Sequence, residues 1–570
     1  MYILPVLSLR MNKKNTTFWL LPLLFSLAVT VFSGCNNTEN SVINDDDAPA
    51  DAKGSLVSFG LSTSQYSEGS PVSRAAGNNE GRVVSSSTDD LGNGLEALVE
   101  VVENPVEAKT RAASNAPAGK YTILAYQGTD LKQKWEINYN GSTYTMVDGS
   151  NPEKYLAPGT YQFYVFNDKL SLENGKVITS FTNSEKEGLY VKQDVTIPNQ
   201  KKYKISFVLK PSLAQVYFKI KAFSNAAFNG AMSGKLTYDA NTIPSTLALD
   251  PTTGVTTTTN NTSAGQVAVG SFTANQSNDV KSSYIVMTSP RYFLPGTDVS
   301  KLKFTFNSTA EGTDGKIYDK AVAGKVLNIT NAIPGNLVAG TSYTVYATVY
   351  YKANYLFTDG TVGSLLENKS KTPIGLVVNE DKRIAVSLRN VGNYQWTTLG
   401  RNGNSKTVYS YNVSGLQQAR DKYDGFEETW VGAYTIKPSG LIKANSTSFP
   451  AFYYAARYAN DINGKKWYLP GVGDWYLALK YFGINDATNG YVKGGGIKHS
   501  WGGSLGYQLA EILFYQVNGD AFDDWYWTAN AWNSANAAAI SVLIYKSNEM
   551  VHFGGADKGA GANVRAFIKY

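Results

Sequence analysis

Hydrophobic and polar positions alternate with a period of two along much of this chain. The clearest run is "GSLVSFGLSTSQYSEG" at 54–69, where Val57, Phe59 and Leu61 fall on one side and Leu56, Ser58 and Gly60 on the other. Period two marks a strand with one buried face, and the Ser, Glu and Gly that follow are turn residues. Similar runs are "LGNGLEALVEVVENP" (91–105), "GKYTILAYQ" (119–127), "WEINYNGSTYTMVDG" (135–149), "YLAPGTYQFYVFND" (155–168), "VKQDVTIP" (191–198), "YKISFVLKP" (203–211) and "AQVYFKIKAF" (214–223). A second set within 233–352 includes "SSYIVMT", "KLKFTFNST", "AVAGKVLNIT" and "GTSYTVYATVYYK". Short strands bounded by Gly, Pro and Asn at short spacing predict antiparallel β-sandwiches.

From residue 355 the pattern changes. "YLFTDGTVGSLLENKSKTPIGLVVNEDKRIAVSLRNVGNYQW" predicts short strands and a hairpin. "FPAFYYAARYAND" (449–461) reads as a helix carried by Ala451, Ala455, Ala456 and Ala459. "VGDWYLALKYFG" predicts a second helix, with Asp474 as N-cap and Gly483 as its stop. "DDWYWTAN" (523–530) and "NVRAFIKY" (563–570) are strand pieces among Gly-rich loops.

The N-terminal segment obeys neither period. Lys13 and Lys14 precede the uncharged run Phe18–Phe32, which is 15 residues long. A bilayer-spanning helix needs about 20, so the run reads as a secretory signal segment. It ends in "VFSGC", which resembles a bacterial lipobox, with Phe32 where Leu is usual. Cys35, the single cysteine of the chain, is then the expected lipid attachment point. Met11 is an alternative start to Met1. Residues 36–54 are polar and acidic and predict a flexible tether.

Composition narrows the class. Hydrophobic residues are 43%, which a folded chain needs, and charged residues only 17%. Losing the leader with Arg10, Lys13 and Lys14 takes the net charge from +6 to +3, too little for a nucleic-acid footprint. His499 and His552, the two histidines, lie in no metal-binding spacing. "KGGGIKHSWGG" (493–503) lacks the strand and the Lys-Ser/Thr of a phosphate loop. No catalytic group, cofactor or metal site is expected. Two loops carry an arginine among small residues, "PVSRAAGNNEGR" with Arg74 and "KTRAASNAPAG" with Arg111. Such loops are exposed and cleavable.

In order, a lipobox, one strand, an Arg loop, "GKYTILAY", "LAPGTYQFYVFN", "SLAQVYFKI" and "LVAGTSYTVYATVYY" resemble the fimbrillin family of Bacteroidetes type V pili over residues 19–352. The resemblance implies two tandem antiparallel β-sandwich (transthyretin-like) domains and an outer-membrane lipoprotein precursor. It also implies cleavage by an Arg-specific protease after the first strand, then addition of a strand from another subunit. Carried over, Val57, Phe59 and Leu61 form the removable strand. Arg74 is the cleavage site, with Arg111 competing. "WYLP", "YWT" and "VRAFI" resemble the C-terminal C-type-lectin-like domain of Bacteroidetes surface proteins, over 355–570. The tripeptides of calcium-dependent lectins are absent, and Ser534 stands in "WNS" where they need Asp.

The resulting division is a signal peptide 1–34, a tether 35–53, a first sandwich 54–210, a second sandwich 211–352 and an α+β lectin-like domain 353–570. Trp467, Trp527 and Arg565 are expected in the core. Trp501, Asp523, Asp524, Trp525, Tyr526 and Trp532 are the expected ligand surface, for a host or bacterial glycan or protein. The chain's last strand runs into "NVRAFIKY", which suggests a subunit that accepts a strand without donating one. The expectation is a non-enzymatic pilus-tip adhesin whose partners are other pilus subunits and, through lipid, the outer membrane. The alternative is a monomeric surface glycan-binding lipoprotein.

Overall fold

A computed structural model describes residues 54–66, 81–104 and 114–570, apart from 181–187, 276–280, 288, 308–314, 335, 411, 486–490, 493–495, 523, 533–537 and 546–549. The chain is mainly β, and among the described residues its short α-helices lie in the last third. Among the described residues no helix is long and apolar enough to cross a membrane.

The first strand, β1 (Ser55–Thr63), is followed by β2 (Arg82–Gly92), β3 (Leu95–Glu103), β4 (Gly119–Gln127), β5 (Asp130–Tyr139), β6 (Tyr144–Met146) and β7 (Gly159–Asn167). Next come β8 (Ser171–Glu173), β9 (Lys176–Ser180), β10 (Leu189–Ile197) and β11 (Lys202–Pro211). The first sheet runs β1-β11-β10-β7-β4-β5-β6. Its strands alternate buried and exposed positions, and its core holds Val57, Phe59, Leu61, Trp135, Phe163 and Phe207. The sheet folds over this core, so that β5 and β6 face β1 across it.

The second sheet forms from strands far apart in sequence. β12 (Ala214–Phe223) pairs in parallel with β15 (Ser342–Tyr351), and β3 pairs antiparallel with β15. Between them in sequence lie β13 (Pro244–Leu249) and β14 (Thr256–Asn260). This finding corrects the expected limits of the first sandwich, 54–210. The hairpin β2–β3 falls inside that range, yet its Leu91, Leu95, Ala97, Val99 and Val101 are buried in the second core. Nearest-neighbour order misleads here, because β3 finds its partner about 240 residues along the chain.

A small third sheet, β8-β9-β13-β14, joins the two. β9 comes from the first sandwich and β13 from the second, in register from Val177↔Leu249 to Ser180↔Thr246. Beside it lies an apolar cleft of about 470 Å³ lined by Leu170, Val177, Tyr190, Leu247, Leu249 and Pro295, among others.

The last third contains β16 (Tyr355–Phe357), β17 (Pro373–Asn379), β18 (Ile384–Ser387), β19 (Gly392–Gln395), α1 (Val413–Arg420), α2 (Gly425–Trp430) and α3 (Pro450–Ala455). It continues with β20 (Trp467–Tyr468), α4 (Val472–Tyr481), β21 (Gly496–Ser500), α5 (Gln508–Tyr515), β22 (Trp525–Trp532), β23 (Ala538–Tyr545), β24 (Met550–Asp557), β25 (Gly561–Val564) and β26 (Phe567–Lys569). The expected helix over 449–461 is shorter than its apolar pattern. In α4 the N-cap is Gly471; Asp474 sits one turn in and its carboxylate accepts from Gly471 N–H at 2.9 Å. Gly483 ends the helix with φ +97°, which a side chain would resist. β26 lies between β18 and β20, inside its own sheet.

Candidate functional site

The site is the groove that β1 fills. β1 runs parallel to β11 over eight paired residues, Leu56↔Lys202 to Thr63↔Leu209. Neither flank of β1 is joined to it by a tight turn. Among the described residues it meets, on its outer side, only the short strands Lys154–Leu156 and Ser114–Asn115. Such a strand is held by its hydrogen bonds and its buried face, with one covalent connection forward through residues 67–80.

The buried face is built around Phe59. Its ring lies 4.9 Å from Trp135 in an edge-on arrangement, 5.9 Å from Tyr144 and 6.0 Å from Phe207. Val57, Phe59 and Leu61 are 2%, 4% and 3% exposed, while Ser58 between them faces solvent. Leu61 C=O accepts from the Tyr139 hydroxyl at 3.1 Å and from Ala116 N–H at 3.1 Å. Ser55 Oγ donates to Pro198 C=O at 2.8 Å, and Ser62 Oγ to Phe207 C=O at 3.1 Å. Gly54 turns the chain with φ +92°; a Cβ there would lie 2.4 Å from Leu156 C=O. The sequence reading of Val57, Phe59 and Leu61 as one inward face matches this arrangement. After β1 the chain leads toward the second sandwich, where the Tyr66 ring lies 5.7 Å from Tyr292.

Without β1, one edge of β11 would lose its backbone partners and Trp135, Tyr144 and Phe207 would face a trough. An unfilled edge of this kind accepts an extended peptide readily. Arg74 lies outside the described residues, within the connection from β1 to β2; Arg111 lies outside them within 105–113, between β3 and β4. Cys35 and Asp523 also lie outside the described residues.

The expected ligand surface on the last domain does not form as a unit. Tyr526 and Trp532 are fully buried, and Trp501 is 9% exposed. The cause is β22: it is an inner strand with core on both faces, so alternate residues from Tyr526 to Trp532 enter one core or the other. Tyr526 packs 5.3 Å from Trp475, and Trp501 lies edge-on to Tyr507 at 5.7 Å. Trp525 is half-buried beside Trp527. Asp524 reaches solvent, where it accepts from Trp525 N–H at 2.7 Å and from the Asn563 side chain. Trp467, Trp527 and Arg565 are fully buried, the last donating to Asn390 and to Asp520 C=O, both at 2.8 Å.

The sequence reading missed a buried polar centre in this domain. Lys443 and Glu428, both fully buried, pair at 2.6 Å, and Lys443 also donates to Ser405 Oγ at 2.8 Å. Burial raises the Glu428 pKa and lowers that of Lys443, while their mutual attraction opposes both shifts. Burial also pushes the Asp474 carboxyl up to about 7. Glu428 of α2 is thus fastened through Lys443 to Ser405, while Asp474 caps its own helix at Gly471. Its one sequence signal is acidic residues inside an aromatic-rich segment. Among the described residues no cluster suited to a metal ion occurs.

No known protein family matches the chain, and no curated protein matches it. Several solved structures do. A protein from Bacteroides fragilis, described as a candidate cell adhesion protein, is 15% identical, with 54% of this chain and 95% of that chain covered and a TM-score of 0.30. A fimbrial protein from Bacteroides vulgatus is 14% identical, with 41% and 89% covered and a TM-score of 0.30. The fimbrial anchor protein Mfa2 from Porphyromonas gingivalis is 8% identical, with 46% and 92% covered and a TM-score of 0.24. At TM-scores of this size the functional reading rests on the chain's own geometry.

Proposed function

We propose that this chain is a subunit of a surface filament, exported as a lipoprotein through Cys35. It exchanges β1 for a strand of a neighbouring subunit and presents its last domain as an adhesive head at the filament tip. The observation that carries this reading is β1 itself: a parallel, apolar-faced strand that no hairpin ties to its neighbours and that fills the centre of a core.

The second core supports Arg74 over Arg111 as the cut site. Cleavage in 67–80 releases β1 alone. Cleavage in 105–113 also severs β2–β3, which contributes five buried side chains to the second sandwich. β26 is paired on both sides in its own sheet, so lending it out would open the C-terminal core. The ligand of the head is a glycan or a protein.

The test is digestion of the folded precursor with an Arg-specific protease, followed by N-terminal sequencing. A new N-terminus at Ala75, loss of the 55–63 segment under mild denaturant and recapture of a synthetic 55–63 peptide support the reading. A chain that stays intact, or that keeps β1 after cleavage and ignores the peptide, refutes it. Mature surface protein that retains residues 35–74 favours a permanently anchored glycan-binding lipoprotein.

A further inference from the structure

A free sheet edge is a template for another strand, and proteins blunt such edges with charge, bulges, shortness or cover. β2, at the end of the second sheet, carries Arg82, Asp89 and Asp90 and two register shifts. β8 is three residues long and carries Glu173. Among the described residues β14 carries no charge and no bulge of its own; the one register shift in its pairing, between Pro244 and Thr246, lies on β13. β14 ends the bridging sheet, with β13 as its partner there from Leu249↔Thr256 to Pro244↔Asn260. All five of its residues, Thr-Thr-Thr-Thr-Asn, are exposed, and none is charged or proline. Threonine favours extended backbone. Val255, just before the strand, is 56% exposed, the highest value among the exposed large hydrophobic side chains described.

The edge is also held in place. Asp250 Oδ1 accepts from Thr252 N–H at 2.9 Å and from its hydroxyl at 2.7 Å, which fixes the turn before β14. Asp250 N–H donates to Val255 C=O at 2.9 Å. On the inner side Thr257 Oγ1 donates to Ala248 C=O at 3.3 Å and Ser245 Oγ to Thr259 C=O at 3.0 Å. A partner therefore meets a strand already ordered, and little entropy remains to be lost.

We propose that β14 of one chain pairs antiparallel with β14 of a second copy. The occupant is a second copy because this strand complements itself. A nearly uniform threonine run sets Thr against Thr in several registers, cross-strand Thr pairs are favourable, and no charge opposes its own image. The contact is isologous, so it closes as a dimer. Two bridging sheets become one continuous sheet, with the two Val255 side chains covering its ends. The contact is small and belongs with weak, reversible association. It is independent of strand exchange at β1, since β14 lies in a different sheet.

The test is sedimentation velocity over a concentration series, using residues 35–570 with Cys35→Ser, which retain every described residue. The expected result is a reversible monomer–dimer equilibrium. The double change Thr257→Lys and Thr259→Lys sets like charges across the contact and weakens dimerisation at least about tenfold. Thr257→Val and Thr259→Val strengthens it. Both altered positions face solvent within β14, and circular dichroism checks that the fold is unchanged. A wild type that is monomeric at every concentration overturns the proposal. So does a dimer indifferent to the lysine pair.

Discussion

Phe59 shows how much one residue can reveal. Its period-two company with Val57 and Leu61 made an inward face legible from sequence, because alternation depends on the backbone alone. Its partners Trp135, Tyr144 and Phe207 come from three other strands and were not legible. Phe59→Ala removes a buried ring from this cluster and should cost the uncleaved chain about 3–5 kcal/mol, read from urea unfolding. The tryptophans of the last domain teach the reverse. Trp501, Tyr526 and Trp532 sit among Gly, Asn and Asp in sequence, which suggests an exposed loop. β22 nevertheless places Tyr526 and Trp532 in the interior, and Trp501 packs onto Tyr507. Asp474 gives a pH test. Burial raises its folded pKa to about 7, above the ordinary 3.8. The folded chain thus holds a proton that the unfolded chain loses, so this contribution is full below pH 3.8 and is lost as pH rises toward 7. The loss is at most about 4 kcal/mol. Asp474→Asn keeps an acceptor for Gly471 N–H and should flatten that window, with higher thermal stability than wild type at pH 8.

At the scale of elements, strands were easier to find than their partners. "GLEALVEVV" reads as a strand, and it forms β3. Its near-continuous apolar run fits a strand covered on both faces, with β15 as its neighbour. Sequence order placed it in the first sandwich because loop closure favours near neighbours. The cost of closing a long loop grows only slowly with length, so a distant partner can win when it buries more. This gives a prediction about the two connections. A specific protease site placed within 105–113, cut in a chain already cleaved at Arg74, should free β2–β3 and expose the second core. Dye binding to apolar surface and loss of near-UV circular dichroism would report it. Cleavage at Arg74 alone should leave both signals near those of the intact chain, apart from the part owed to β1.

For the whole molecule, the joints between domains decide how an adhesive head would transmit load, and none was legible from sequence. The bridging sheet joins strands supplied by both sandwiches, and Val177 sits where it meets the cluster of Leu124, Tyr126, Tyr164 and Phe166. The last domain is fastened to the second sandwich by different means. Gln516 exchanges hydrogen bonds with the Tyr351 backbone at 3.1 and 3.0 Å, and Glu96 of β3 accepts from Ser364 Oγ at 3.2 Å. The first joint combines a β-ladder with apolar burial at Val177, and the second adds polar pairs, drawn partly from β3, to the burial of Ile512 of α5 in the second core. They should therefore fail separately. Val177→Asp buries an unpaired charge in the bridging sheet and should cost several kcal/mol there. Small-angle scattering should then show a broader distribution of maximum dimension, while Gln516 continues to hold the last domain. Gln516→Ala leaves the Tyr351 N–H and C=O without those partners, and should loosen the other end of the molecule instead. Limited proteolysis distinguishes the two outcomes: new cleavage near 171–180 in the first variant, and near 351–355 in the second. Identical fragment patterns from both variants would mean that the three domains open as one unit, contrary to the separate fastenings described above.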